Sequence, residues 1–176
     1  MNMIKKRMHK RSQFYLLTAI LLSVVVFLLA DLPQRTEAGS KEPLYLYQNF
    51  ISEAPRVINN AIYNSRNMTS DFDDFTSKFI YHAGTKNINL SLFYAVIYGD
   101  QMVMSNRMGE GVNVTTSSGE IVLNHNQSVS MARKDSLNVE IGGISYPFAA
   151  DQNVTSFKLI FRTEDLNSNK EVYIYG

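Results

Sequence analysis

Cysteine is absent from all 176 residues. The chain therefore has no disulfide framework, thiolate nucleophile or cysteine-based metal site, and a folded domain must be held by its core alone. Histidine is scarce: His9, His82 and His125 are the whole complement, and the last two stand 43 residues apart, outside any zinc-binding spacing. No Gly-x-Ser-x-Gly elbow and no phosphate-binding glycine loop occurs, and Gly109-Glu110-Gly111 reads as a turn. Asp71, Asp73 and Asp74 lack the loop glycine and distal glutamate of an EF-hand, so they read as helix-capping residues. There is no basic stripe, which argues against nucleic acid as a partner. With no catalytic, cofactor or metal ligand to assign, the expectation is a protein that is not an enzyme.

What is present is concentrated at the start. Lys5, Lys6, Arg7, Lys10 and Arg11 precede Phe14–Ala30, a run without a charge. Seventeen helical residues reach roughly 26 Å, near the ~30 Å of a hydrocarbon core once Ser12, Gln13 and a snorkelling Arg11 extend them. The pattern predicts a single-pass transmembrane helix over 13–32. A basic segment 1–12 stays cytoplasmic by the positive-inside rule, and the remainder lies outside the cell. A removable signal peptide is the competing reading. Its apolar region is usually about 7–15 residues, and no clean small-x-small site follows here, although Thr36-Glu37-Ala38 comes near.

The order Lys10-Arg11-Ser12-Gln13-Phe14, followed at once by the apolar run, resembles the class III leader of archaeal pilin-like proteins. The resemblance covers about twenty residues and implies cleavage between Ser12 and Gln13 on the cytoplasmic side, sparing the helix. Ser12 stands where Gly or Ala is usual. Leu17 stands where many pilins carry the acidic residue that helps to set subunit register. What the resemblance implies is a structural subunit of a surface filament.

Segment 33–43, with Pro33, Gly39 and Pro43, reads as an exposed linker. The domain that follows, 44–176, is long enough to bury a substantial core. Without the five N-terminal cations the chain holds twelve basic against sixteen acidic residues, a mildly acidic balance of −4. Phe50, Ala54, Val57, Ile58, Ala61 and Ile62 recur at helical steps, with Pro55 either in a first turn that starts near Ser52 or at a kink. A second helix is expected from Ser70 as N-cap, with Phe72, Phe75, Phe79 and Ile80 inward and Gly84 as its stop. The helical part thus spans 44–83 and a β-rich part spans 84–176. From Ile88 to Tyr98 both faces are apolar, the mark of a central strand. Alternation then recurs at Val112/Val114, Ile121/Leu123, Leu137/Val139/Ile141, Phe157/Leu159/Phe161 and Val172/Ile174. Tyr173 and Tyr175 share one face of the last run, as on an edge strand. Six to eight strands at this spacing predict an α+β class, with one or two helices packed on an antiparallel β-sandwich-like domain.

Asn-x-Ser/Thr occurs at Asn67, Asn89, Asn113, Asn126 and Asn153, where chance composition yields about two to three. Asn89 and Asn113 alternate with apolar neighbours, which places them opposite a core and open to a glycan. The combined expectation is a membrane-anchored extracellular binding or cell-envelope module. Its partners would be the membrane and other surface proteins or copies of itself; a pilin-like filament subunit is the alternative.

Overall fold

The run Leu90–Ile97 is apolar at every position but Ser91, so both of its faces need cover. In the computed structural model, which describes residues 41–149 and 155–176, it forms the middle of β1 (Asn89–Tyr98). Leu90, Leu92, Tyr94 and Val96 enter one core, while Phe93, Ala95 and Ile97 enter another. Because successive strand residues point to opposite sides, one sheet separates two cores.

The remaining strands are β2 (Gln101–Arg107), β3 (Val112–Thr116), β4 (Gly119–Leu123), β5 (Ser128–Ala132), β6 (Ser136–Ile141), β7 (Ile144–Ala149), β8 (Ser156–Glu164) and β9 (Lys170–Tyr175). They form a five-stranded sheet, β5-β2-β1-β8-β9, and a four-stranded sheet, β4-β3-β6-β7. Every pairing is antiparallel. Helices α1 (Glu42–Tyr63) and α2 (Met68–Thr85) cover the outer face of the larger sheet. The order of layers is helices, five strands, four strands.

Helix α1 starts ten residues before the Ser52 start considered from sequence, with Pro43 in its first turn, and runs through Pro55. An internal proline removes one backbone hydrogen bond and crowds the preceding turn. Here that turn buries Phe50 completely, against Phe72, Phe75, Phe79, Phe157 and Phe161. Burying a phenylalanine is worth roughly 1.5–3 kcal/mol, more than one solvent-competing hydrogen bond. Helix α2 is capped by Asn67, not Ser70: its Oδ1 accepts the Ser70 N–H at 3.1 Å. Gly84 lies inside the helix, which ends one residue later.

The chain crosses between sheets after β2, and the crossing is held by Asn106, fully buried. Its Nδ2 donates to the Glu110 and Leu123 carbonyls at 2.9 and 2.8 Å, and its Oδ1 accepts the Met108 N–H at 2.7 Å. The β6–β7 hairpin turns on Gly142 and Gly143, both at positive φ, as a two-residue loop that follows the twist of its strands requires.

The sequence expectation needs correction in two respects. Among the described residues nine strands form, not six to eight, while the two helices pack on the antiparallel sheets as the sequence pattern predicts. The single transmembrane helix is not supported: among the described residues no helix is long and apolar enough to cross a membrane, and 13–32 lie outside them.

Candidate functional site

The densest polar constellation joins the helices to the larger sheet. Asp73 on α2 accepts the Tyr94 hydroxyl at 2.5 Å and the Arg107 Nη2 at 2.9 Å. Arg107 Nη1 reaches on to Asn126 Oδ1 at 3.1 Å, in the β4–β5 loop, while Arg107 Nε is buried without a partner. Asn126 Nδ2 lies 2.9 Å from His125 Nε2, and His125 Nδ1 contacts the Met108 carbonyl. Beside them Ser128 Oγ donates to Ser105 Oγ at 2.8 Å. Burial pushes the Tyr94 phenol up, and its hydrogen bond to Asp73 pushes it further. At neutral pH it stays a donor. Ser105 is bonded to a serine and not to a base, so the group assembles no activated nucleophile. Its chemistry is that of a clamp, tying α2 to β1 and β2 with a partly buried ion pair.

Cavities are shallow. A cleft of about 510 Å³ lies between α1 and β8, lined by Pro55, Ile58, Phe157, Lys158 and Tyr175. Another of about 550 Å³ lies between Met68 and Tyr98, with Arg66 on its rim. Among the described residues no three His, Cys, Asp or Glu side chains gather where they could hold a metal ion. The predicted acidic trio divides: Asp71 pairs with Arg66, Asp74 with Lys78, and Asp73 with Arg107. His82 is exposed on the last turn of α2.

The sequons differ in what their carboxamides do. Asn89 is exposed at the start of β1, and Asn113 is half-buried on the outer face of the smaller sheet, between Val122 and Glu140. Asn67 caps α2 through its oxygen, and its amide nitrogen takes no part in the cap. Asn126 has both side-chain atoms engaged and a φ of 60°. Asn153, Ser12 and Gln13 lie outside the described residues.

No known protein settles the reading: no family model, curated protein or solved structure matches this chain.

The outer strands differ in how far they invite a partner. Open sheet edges carry unpaired N–H and C=O groups, and proteins blunt them with proline, charge or shortness. β7 contains Pro147. β4 and β5 are five residues long, the first with Glu120 and the second followed by Arg133 and Lys134. β9 begins with Lys170 and Glu171 and continues Val172-Tyr173-Ile174-Tyr175 without charge or proline. Tyr173 is half-buried, stacked on Tyr47 with ring centroids 4.7 Å apart. Val172 and Ile174, on the opposite face, are 46% and 52% exposed. They point toward the side of the four-stranded sheet, which leaves them uncovered. Sequence reasoning read this run as an ordinary edge strand. The missed signal was the coincidence of uncharged residues with apolar side chains of both parities.

Proposed function

We propose that this chain is a non-catalytic, extracellular binding or cell-envelope module, held at the outer side of the cell membrane, that meets other surface proteins or copies of itself. The observation that carries the reading is the open edge of β9, where exposed Val172 and Ile174 flank an uncharged backbone segment. The basic cluster followed by an uncharged run supports the address. Asn89 and Asn113, with no side-chain bond to break, are the favoured glycan positions, and the masses of their peptides from native protein test this.

Proteinase added to intact cells is the deciding experiment. Digestion of the domain without permeabilisation is expected; protection until the cells are opened overturns the reading. The Arg11-Ser12-Gln13 junction favours a second reading, a pilin-like filament subunit. A mature start at Gln13 together with recovery in sheared filaments would select it, and an intact Met1 start would exclude conventional pilin maturation.

A further inference from the structure

The free backbone groups of β9 follow from its turn. Opposed residues of an antiparallel ladder alternate between pairs that exchange both N–H···O bonds and pairs that exchange none and point those groups away. The Asp165 N–H donates to the Asn169 carbonyl at 3.1 Å, and 165/169 continues the β8–β9 register. Stepping by two, Thr163/Glu171, Phe161/Tyr173 and Leu159/Tyr175 are the hydrogen-bonded pairs. Lys170, Val172 and Ile174 therefore turn their N–H and C=O groups outward. Tyr47 gives independent support: its hydroxyl reaches the Ile174 carbonyl at 3.2 Å from outside the ladder, leaving that oxygen a second lone pair. Among the described residues β9 is the last strand of its sheet, and no strand there takes up the rest. Outward backbone and exposed apolar side chains thus belong to the same residues.

We infer that β9 pairs antiparallel with β9 of a second copy about a two-fold axis at Tyr173, joining two five-stranded sheets into one of ten. The inference rests on the reading of this edge as the interaction surface and names its partner. A two-fold axis perpendicular to the sheet keeps every residue on its own face. Opposed residues must then share parity, so the axis passes through a residue and not between two. An axis at Glu171 opposes the two carboxylates, and one at Val172 sets Lys170 against Ile174. An axis at Ile174 shortens the pairing to 173–175. At Tyr173, Val172 faces Ile174 twice on one side of the sheet, and Glu171 faces the Tyr175 hydroxyl twice on the other. Apolar meets apolar, the Glu171 carboxylate, which already accepts the Tyr173 hydroxyl, meets a second donor, and the antiparallel sense holds the two Lys170-Glu171 segments at opposite ends. The backbone phase agrees, since Val172 and Ile174 both point outward and can form a hydrogen-bonded pair.

The absence of cysteine makes single thiols unambiguous reporters. Full-length Val172→Cys and Ile174→Cys, prepared separately in detergent, one of them mass-tagged, are mixed under mild oxidation. The mixed disulfide is expected in excess over either homodimer, because opposed residues fall within disulfide reach. Light scattering of the unmodified full chain should give twice the chain mass, and Val172→Lys should return the monomer, with the urea midpoint that the unmodified chain shows when diluted to monomer. The Val172 and Ile174 amides should gain exchange protection as concentration rises. A dominant Val172→Cys homodimer overturns the axis at Tyr173. A dimer that survives Val172→Lys overturns β9 as the contact. A monomer at every concentration that still captures other surface proteins, and loses them on Val172→Lys, overturns self-pairing while leaving the proposed function standing.

Discussion

The two faces of the five-stranded sheet are filled by different chemistry. Under the helices the core is aromatic, with Phe50, Phe72, Phe157 and Phe161 buried and Tyr47, Phe75, Phe79 and Tyr173 at its margin. Between the sheets it is mostly aliphatic, with Met102, Met104 and Met108 among Val112, Val114, Leu123, Leu137 and Val139, and Phe93 and Phe148 the only buried rings there among the described residues. Helices laid on a pleated sheet leave deep, uneven spaces, which rings fill edge to face: Phe50 meets Phe79 with centroids 5.0 Å apart and planes at 86°. Two sheets stack about 10 Å apart, and unbranched and β-branched side chains interdigitate across that gap. The coverings also differ in extent. The helix layer reaches β9 through Tyr47, whereas the smaller sheet leaves Val172 and Ile174 open. The unequal reach of the two layers is what creates the candidate interface.

The sharpest way to break this contrast is to empty one position on each side. Phe50→Ala should cost about 3–5 kcal/mol, because the space is enclosed by five other rings that cannot all close on it. Met104→Ala should cost about 2–3 kcal/mol, since its thioether neighbours are flexible enough to relax inward. Urea unfolding of the full-length chain reads both. Equal losses would mean that the aromatic cluster gives no extra resistance to collapse.

Next in size comes the bracket between the layers. Asn106→Ala removes three hydrogen bonds, to the Glu110 and Leu123 carbonyls and from the Met108 N–H. At about 1 kcal/mol each the loss is about 3 kcal/mol, and hydrogen exchange should rise around 107–112 and 123–128 before it rises under the helices. Uniform exchange across the domain would show that the crossing is not an independent element. The same residue marks a limit of sequence reading. Asn106 bonds backbone groups up to seventeen residues away, and no spacing announces that.

Other features were legible for definite reasons. β1 declared itself because both parities are apolar, β3, β4, β6 and β9 because one face of each is buried more deeply than the other, and β8 because Phe157, Leu159 and Phe161 alternate, although Lys158 and Ile160 are buried as well. β2 was missed because Met102, Val103 and Met104 bury both faces and erase the alternation. β7 was missed because Pro147 argues against a strand, yet proline is tolerated on an edge. The true start of α1 was hidden by Pro55, a local signal outweighed by the burial of Phe50. The open β9 edge was readable only in part: the side chains are in the sequence, but the outward phase of the backbone needs the register.

The smallest effect expected is local and set by pH, and it tests whether β9 is held as firmly at its start as along its length. Asp165, in the β8–β9 loop, accepts the Asn167 and Asn169 N–H groups at 2.8 and 3.0 Å and the Asn169 side-chain amide at 2.9 Å. The Asn169 side chain, and after it the backbone, hold its carboxyl below the ordinary value of 3.8. A depressed folded pKa contributes stability that is fully present above the unfolded value and is lost as pH falls through the folded one. Acidification from neutrality to about pH 5 should therefore leave the hairpin unchanged, since carboxylates ionise near 4. Below that range the Asn167 and Asn169 amides should begin to exchange while the Phe50 cluster stays protected. Asp165→Ala should show the same fraying already at pH 7 and no longer respond to acid. The loop is largely exposed, with Asp165 half-buried, so its bonds compete with water and the global urea midpoint should barely move. Loss of protection beneath the helices at the same pH would mean that the aromatic core depends on this turn, reversing the ranking of the two faces.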